Sequence, residues 1–454
     1  MLALVLCSVC GIRAFADDGT AVNYERIGEQ IAEDVRRYHI PAMAVAVVDK
    51  DKVLFEQTYG ECKSADQPFI IGSMSKSFTA LAIMQLAEQG KLDLAEPMDK
   101  YIDSSEWFKD GSDHSRITIK DLLNHTSGIT TFQQFGSLES TDSYGNHVYA
   151  NANYGLLGLI IEAVSGMSYE DYVTKNIFDP LGMEHSAASL EKSKKNGLID
   201  GYRNYFGFAV SGECDYPEEI QKGSWTNVPA GYLSSSLSDM EEYLQMYLRG
   251  GESVVGSRSI ESMFYDNVPD GEDGFYGFGW TYSKDPSGQP MLNHAGLVEN
   301  YTSNMFILPE KEIAVVVLVN MNDYLVGNAL LGDVTAPLLG QEKQNSANMY
   351  VILHAAIDAV CLALFFVSIH SAVTLKKWTA KAGKRRTVVA DIIRHIVLPI
   401  ALLSIPLVMG TPYSVLWLFT KDLAIVIVAN AAILTAIGVF KGIHFVRVRR
   451  AARN

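Results

Sequence analysis

The feature that most constrains this chain is a set of three apolar segments near its C-terminus, at 349–375, 396–418 and 423–440. Each approaches the roughly 20 apolar residues that a helix needs to cross a bilayer. Lys and Arg are frequent in 376–394 and 441–453, and absent from the intervening turn at 410–414. Basic loops stay in the cytoplasm, so the pattern predicts a three-helix transmembrane region whose preceding residues lie outside the cell membrane.

Charge divides the chain in the same way. From residue 346 onward there are 13 Lys and Arg against three acidic residues, a charge of +10, which leaves −25 for residues 1–345 out of a total of −15. An acidic body disfavours nucleic acid as a partner, and the basic, apolar end favours a membrane. Lys421 and Asp422, at the start of the third segment, are interpreted as an interfacial pair.

The start of the chain predicts export. Residues 2–12 are apolar and Ala14-Phe-Ala16 has the small-x-small form of a cleavage site, which indicates a signal peptide at 1–16. Without basic residues before the apolar run, an uncleaved anchor or a truncated start remains open. The predicted division is therefore a signal peptide at 1–16, a body at 17–340, a linker at 341–348, spans within 349–441 and a cytoplasmic tail at 442–454.

Periodicity within the body predicts an α+β fold. Apolar residues at helical spacing predict a helix at 24–38, and alternation predicts a hairpin of strands at 42–48 and 53–59. Helical patterns dominate the middle, best at 153–164 and 238–248, and strand patterns return at 276–282, 301–308 and 312–320. We therefore expect an antiparallel sheet closed by both ends of the body and flanked by helices, with an inserted helical subdomain and a final helix at 323–339.

Neither a cofactor nor a metal is predicted. No phosphate loop, dinucleotide fingerprint or metal-type cysteine cluster occurs in the sequence. Of the five cysteines, only Cys62 and Cys214 fall in the body outside the leader and the apolar segments. In an exported body they could form a disulfide or remain two isolated thiols.

Chemistry is indicated first at 69–80, Phe-Ile-Ile-Gly-Ser-Met-Ser-Lys-Ser-Phe-Thr-Ala. Ser73 and Lys76 are one helical turn apart where an apolar run passes into a helical pattern, so the amine can lie against the hydroxyl. The spacing alone is weak, because Ser189 and Lys192 repeat it among charged residues. Only Ser73 has the context of an active-site turn, the alternative being an ordinary helix N-cap.

A serine nucleophile also needs a proton donor for the leaving group and a site for the oxyanion. Tyr149-Ala-Asn151 lies just before a helix, although Tyr-x-Asn also occurs at Tyr144, Tyr202 and Tyr265. His294-Ala-Gly296 is the single His-x-Gly of the sequence and lies on a predicted strand. Glycine on a strand edge lets a substrate backbone approach closely.

Seven fragments in order make the chain resemble the serine β-lactamase and penicillin-binding-protein superfamily, especially its class C β-lactamase, D-aminopeptidase and esterase branch. They are 69–80, 122–129 (Leu-Leu-Asn-His-Thr-Ser-Gly-Ile), 149–158 (Tyr-Ala-Asn-Ala-Asn-Tyr-Gly-Leu-Leu-Gly), 179–183, 229–233, 276–280 (Tyr-Gly-Phe-Gly-Trp) and 294–296. The likeness covers residues 24–322 and selects Tyr149 among the tyrosines.

The resemblance implies a role for each matching residue. Ser73 is the expected nucleophile, Lys76 the base or the group that lowers the tyrosine pKa, and Tyr149 the base and the proton donor to the leaving group. Asn151 is expected to orient Lys76 and bind the substrate amide. Which group takes the serine proton stays open.

The same resemblance places His294 and Gly296 on the strand beside the cleft, and the backbone N–H groups of Ser73 and Leu297 around the oxyanion. It assigns His125 and Ser127, another His/Ser pair, to a structural turn.

One position departs from the β-lactamases of this superfamily. They carry lysine where this chain has His294, and that lysine helps to hold the substrate carboxylate. A neutral imidazole supplies less charge, so the histidine favours the peptidase and esterase members. The exported domain with three C-terminal spans is also similar to membrane peptidases that remove an N-acyl-D-asparagine cap from peptide prodrugs.

Two functions follow from these patterns. The first is a membrane-anchored, outward-facing serine hydrolase that forms an acyl-enzyme with a small amide or ester, plausibly a D-amino-acid-containing peptide. The second is a penicillin-type sensor that is acylated without turnover and signals through its spans. The predicted cytoplasmic parts are a basic loop and a short tail, so a sensor would need a partner.

Overall fold

The structure is a computed structural model that describes residues 23–451, apart from 207, 218, 272–273, 286–287, 323–335, 338–345, 380–384, 409 and 411. The predicted signal peptide lies outside the described residues, as do the final body helix at 323–339 (except 336–337), most of the linker and the end of the tail.

Antiparallel pairing dominates the described body. Its strands are β1 (Ala42–Asp49), β2 (Val53–Gly60), β3 (Phe69–Ile70), β4 (Tyr202–Tyr205), β5 (Phe208–Ser211), β6 (Ser234–Ser235), β7 (Val268–Asp270), β8 (Gly274–Tyr276), β9 (Thr281–Lys284), β10 (Pro290–Leu297), β11 (Thr302–Leu308), β12 (Ile313–Val319) and β13 (Met321–Asn322). Eight of them form one sheet in the order β2-β1-β12-β11-β10-β9-β8-β7, while β13-β4-β5 and β3-β6 form two small sheets.

The large sheet is closed by the two ends of the body, as the patterning predicts. β1 pairs with β12 from Met43 opposite Val319 to Asp49 opposite Ile313. Every residue of β1 from Ala42 to Val48 is buried, because successive side chains point to opposite faces and both faces are covered.

The helices of the body are α1 (Tyr24–Arg37), α2 (Ser75–Glu88), α3 (Ile119–Leu123), α4 (Asn151–Ser165), α5 (Tyr169–Val173), α6 (Asp179–Leu181), α7 (Leu190–Lys195), α8 (Val228–Gly231), α9 (Leu237–Leu248) and α10 (Ser257–Tyr265). α1 covers one face of the sheet with Ile27, Ile31 and Val35. α9 packs against β1 and β12, and α2 against α4 and α8. α2 is buried on every side from Ser75 to Leu86, its polar residues included, as expected of a helix at the centre of the body.

Two sequence predictions are corrected by the structure. The strand predicted at 276–282 is interrupted, because Gly279 has a φ of +76° and lies where a Cβ atom would come within 2.8 Å of the Lys76 carbonyl oxygen. The middle of the body, predicted as helices and loops, also contains the hairpin of β4 and β5. The two strands are short and show no clear alternation of apolar and polar residues, so the sequence pattern did not predict them.

The C-terminal part is helical, with α11 (Ser346–Val373), α12 (Leu375–Thr379), α13 (Arg385–Ile392), α14 (Leu398–Val408), α15 (Tyr413–Phe419) and α16 (Lys421–Ala451). Among the described residues, two stretches are long and apolar enough to cross a membrane, Val389–Val408 and Lys421–Arg447. The described apolar part of the first predicted span, Asp358–Val373, is shorter. The second span predicted at 396–418 is broken, because α14 ends at Val408 and α15 begins only at Tyr413.

Candidate active site

The Ser73 turn joins a short strand to the central helix. β3 ends at Ile70, a 3₁₀ turn spans Gly72–Met74, and α2 starts at Ser75. Gly72 has a φ of +55°, a conformation that glycine adopts without strain. The Ser75 hydroxyl donates to the Gly72 carbonyl at 2.7 Å and accepts from the Leu233 N–H at 3.1 Å. These bonds hold Ser73 at the start of a buried helix, with its side chain partly exposed.

Lys76 has three hydrogen-bond partners, and their chemistry indicates which protons the amine donates and where its lone pair points. Its Nζ lies 3.0 Å from Ser73 Oγ, 2.9 Å from Asn151 Oδ1 and 2.6 Å from the Ala230 carbonyl oxygen. The two carbonyl oxygens only accept, so the amine donates a proton to each. Complete burial lowers the pKa of Lys76 well below its usual value. In the neutral amine, the lone pair then remains for the Ser73 hydroxyl.

Tyr149 approaches the same serine from the start of α4. Its phenol is hydrogen-bonded to Ser73, and Lys76 Nζ lies 4.7 Å from the centre of its ring. Burial raises the pKa of Tyr149 above its usual value of 10, and the bond to Ser73 offsets only part of this effect. The phenol is therefore protonated at neutral pH and can act as a proton donor. The structure brings together Ser73, Lys76, Tyr149 and Asn151, as the sequence predicts.

The strand β10 forms the opposite wall. A Cβ atom on Gly296 would collide with the Ile71 carbonyl oxygen, and one on Gly72 would collide with the Leu297 nitrogen. The Ser303 hydroxyl also donates to the Ile71 carbonyl at 2.8 Å, which ties β11 to the same turn. The backbone of β10 therefore lies directly against the Ser73 turn, with Leu297 beside the predicted oxyanion position.

Replacing Gly296 by alanine therefore tests this close approach. We expect the methyl group to push β10 from the Ser73 turn and to lower kcat/KM by roughly 10²-fold or more, since a misplacement of about 1 Å costs that much. The matched control is Gly212→Ala, because Gly212 has open space around its Cβ position and no positive φ. Steady-state kinetics on both variants checks the prediction, and equal activities would contradict it.

His294 lies on β10 with both ring nitrogens engaged. Its Nδ1 is 2.8 Å from the Ala295 carbonyl oxygen, which only accepts, so Nδ1 carries the proton. Its Nε2 accepts from the Tyr276 hydroxyl at 3.1 Å. Burial and the nearby Lys76 lower the pKa of His294 to about 3. The imidazole is therefore neutral, and position 294 brings no positive charge to the cleft.

Sequence reasoning missed the group of aromatic and histidine rings that surrounds Tyr149. The ring centre of Tyr276 lies 5.9 Å from that of Tyr149, and the Tyr276 hydroxyl is hydrogen-bonded to His294. His147 stacks 5.2 Å from Tyr276 and pairs with Asp270 at 3.1 Å. The fragment Tyr-Gly-Phe-Gly-Trp at 276–280 was the available signal, but a single tyrosine in an aromatic-rich body does not reveal its partner.

His125 and Ser127 serve a structural turn, as the family resemblance implies. The Ser127 hydroxyl donates to Asn153 Oδ1 at 2.6 Å, and His125 Nδ1 accepts from Asn153 Nδ2 at 2.9 Å and from the Ala150 N–H at 3.3 Å. Both side chains thus position the start of α4. Cys62 and Cys214 are free thiols, which settles the alternative that the sequence left open.

Comparisons with known proteins agree with this geometry. The family model described as Beta-lactamase matches residues 27–335. Protein flp of Staphylococcus aureus (strain MRSA252) is 27% identical over 334 residues, which cover 66% of this chain and 64% of that protein. Penicillin-binding protein 4* of Bacillus subtilis (strain 168) is 25% identical over 301 residues, which cover 58% of this chain and 64% of that protein. The chain thus spans about two thirds of the length of these relatives.

Two solved structures are similar. The octameric penicillin-binding protein homologue from Pyrococcus abyssi has a TM-score of 0.61 and 28% identity, with 71% of this chain and 78% of that chain covered. The D-stereospecific amidohydrolase from Streptomyces sp. has a TM-score of 0.54 and 20% identity, with 66% and 94% covered, and this likeness concerns the fold alone.

The antiparallel sheet flanked by helices and the serine–lysine–tyrosine arrangement place the chain in one structural class with the penicillin-binding protein homologue. The chain belongs to the beta-lactamase family.

Proposed function

We propose that this protein is a membrane-anchored, extracytoplasmic serine hydrolase that acts through an acyl-enzyme on a small amide or ester, with a D-configured peptide as its substrate. The observation that carries this proposal is the set of hydrogen bonds around Lys76. Its Nζ donates to two carbonyl oxygens, and its lone pair is left to face Ser73 Oγ at 3.0 Å. A buried, neutral amine in that position activates a serine hydroxyl as a nucleophile.

The geometry supports a division of labour that the sequence left open. Lys76 takes the Ser73 proton as the oxygen attacks the carbonyl carbon, because its lowered pKa provides a free lone pair. Tyr149 keeps its proton at neutral pH and gives it to the leaving group, after which Lys76 can restore it. The N–H groups of Ser73 and Leu297 stabilise the negative charge on the carbonyl oxygen.

The neutral state of His294 supports an amide or ester rather than a carboxylate-anchored β-lactam as the substrate. Its Nε2 is occupied by the Tyr276 hydroxyl and its pKa lies near 3, so it cannot act as the cationic anchor that a lysine provides. The D-configuration follows from the resemblance of the motifs to the D-aminopeptidase branch, and the D-stereospecific amidohydrolase from Streptomyces sp. shares the fold with this chain.

Membrane anchoring is supported by the two apolar helical stretches, Val389–Val408 and Lys421–Arg447. The basic residues at 376–394 and 441–453 favour a cytoplasmic position for those segments, which puts the start of α16 outside. The body lies on the same side because the first predicted span, 349–375, crosses the membrane as well in this proposal. Two contacts between body and membrane region are consistent with this arrangement. Asp422 accepts from the Phe206 N–H at 3.2 Å, and the Phe419 ring lies 6.4 Å from the Trp225 ring.

Membranes that contain the full chain provide the test. We expect labelling of Ser73 by a fluorophosphonate and release of amine from N-acyl-D-amino amides, faster than from the L-forms. Labelling by fluorescent penicillin without turnover of any amide or ester would favour the sensor. Faster hydrolysis of a carboxylate-bearing β-lactam than of neutral amides would contradict the substrate class.

Tyr149→Phe isolates the role of the phenol. The ring and its packing remain while the proton donor is lost, so we expect kcat for an amide to fall by roughly 10²- to 10⁴-fold, the usual contribution of general acid–base catalysis. An ester with a good leaving group needs less protonation and is expected to lose less. The control is Tyr265→Phe, at another Tyr-x-Asn triplet on the exposed end of α10. Equal losses for the two substrates would argue against proton donation.

A further inference from the structure

The hairpin of β4 and β5 (202–211) exposes apolar side chains at its tip. Phe208 is 73% exposed, Val210 45% and Phe206 41%. In a strand, alternate residues share a face, so Phe208 and Val210 point outward together, while Ala209 packs toward the body. β5 is also an edge strand of the sheet β13-β4-β5. An exposed apolar face on an edge strand is unfavourable in water and marks an interaction surface.

The position of the tip identifies its partner. The Phe206 N–H donates to the carboxylate of Asp422 at 3.2 Å, and Asp422 is the second residue of α16. The stretch able to cross a membrane starts one residue earlier, at Lys421. The hairpin tip therefore lies at the same level as the first turn of that stretch.

Residues typical of a membrane–water boundary occur at this level. Lys421 Nζ lies 5.5 Å from the centre of the Trp417 ring, and that ring is about half exposed. Tryptophan and lysine concentrate at the boundary, where an amphipathic ring and a long cationic side chain each meet both phases. The exposed rings of the hairpin thus stand beside lipid.

We infer that Phe206, Phe208 and Val210, the described residues at the exposed end of this hairpin, contact lipid at the outer boundary of the membrane. This inference rests on the proposed membrane anchoring. It adds a second point of contact to the spans and so limits rotation of the body on its anchor.

The segment after the hairpin also contacts the loop between β10 and β11. Just beyond β5, the Gly212 carbonyl accepts from the Asn300 side chain at 2.9 Å, and Asn300 lies in the loop that follows Leu297.

Photo-crosslinking in native membranes tests the inference with the full chain. p-Benzoylphenylalanine is introduced at position 208, at position 428 within α16, and at position 265 on the body, where the native side chains are 73%, 44% and 54% exposed. We expect lipid adducts at 208 and 428 to exceed those at 265 by at least about tenfold, because only the first two positions face lipid. Fluorophosphonate labelling of Ser73 in each variant verifies that the body is folded.

Each outcome is decisive. Lipid adducts at 428 but not at 208 would overturn the inference while leaving the anchoring intact. A protein–protein adduct at 208 in place of lipid would assign the surface to a second copy and also overturn it. The absence of lipid adducts at both 428 and 208 would remove the anchoring and the inference together, whereas hydrolysis by the body would be unaffected.

Discussion

Replacing Ser73 with alanine is expected to abolish covalent labelling by a fluorophosphonate and to lower kcat by at least about 10⁴-fold, as loss of the nucleophile does in other serine hydrolases. The physical reason is that no acyl-enzyme forms without the Oγ atom, whatever the state of its neighbours. Lys76 and Tyr149, which are hydrogen-bonded to Ser73, would keep their positions but would have no hydroxyl to activate. Gel fluorescence and amine release measure the two effects.

The chain offers a matched control in its second Ser-x-x-Lys. Ser189 donates to Glu170 at 2.6 Å, and Lys192 lies 3.4 Å from the Thr174 hydroxyl, so the two are not partners of one another in a cleft. Ser189→Ala is expected to label and turn over like the parent protein. Labelling that survives in Ser73→Ala, or disappears in Ser189→Ala, would refute the assignment of the nucleophile.

Replacing Lys76 with arginine is expected to lower kcat/KM by roughly 10³-fold or more even though a positive charge is retained, because general-base catalysis is lost and the site distorted. A guanidinium does not give up its proton in proteins, so it has no lone pair for Ser73. The planar guanidinium is also larger than the amine, so it cannot form the same three hydrogen bonds to Ser73, Asn151 and Ala230 in a fully buried space. Lys192→Arg is the control, and near-normal activity of Lys76→Arg would show that the amine does not act as a base.

The pH dependence of the parent protein follows from the same two groups. Activity requires neutral Lys76, whose pKa is lowered by burial, so kcat/KM rises as the pH increases through that lowered value. Activity also requires protonated Tyr149, whose pKa is raised above 10, so the alkaline fall comes only above pH 10. Measuring kcat/KM against pH in membranes checks both the rise at acidic pH and the fall at alkaline pH. An alkaline fall near neutral pH would mean that the phenol is more acidic than its burial implies.

The architecture of the body was largely predictable from local patterns. Alternating residues and helical spacing placed α1, the hairpin of β1 and β2, α4, α9, β11 and β12 to within a few residues. The errors occur where a contact with a part of the chain that is distant in sequence overrides the local pattern. The break at Gly279 exists because the backbone of α2 passes beneath it, and the hairpin of β4 and β5 is stabilised by pairing with β13, more than a hundred residues away.

Residue types and order within the site were predictable, but their protonation states were not. Ser73, Lys76, Tyr149, Asn151 and the strand at 294–297 were all named from the sequence. The direction of proton movement depends on burial and on partners such as the Ala230 carbonyl, which no motif contains. Burial likewise keeps His294 neutral, and no motif revealed its hydrogen bond to Tyr276.

By itself the sequence determined the membership of the site and the division into an acidic body and a basic, apolar end, because these depend on residue identity and spacing. Only the tertiary structure decided what charge the amine and the phenol carry, that Lys76 is also bonded to Asn151 and Ala230, and that the Phe206 N–H is bonded to the first turn of α16. The reason is physical: pKa values and surface contacts depend on what surrounds a group in three dimensions, and the neighbours concerned lie 75 to more than 200 positions apart in the chain.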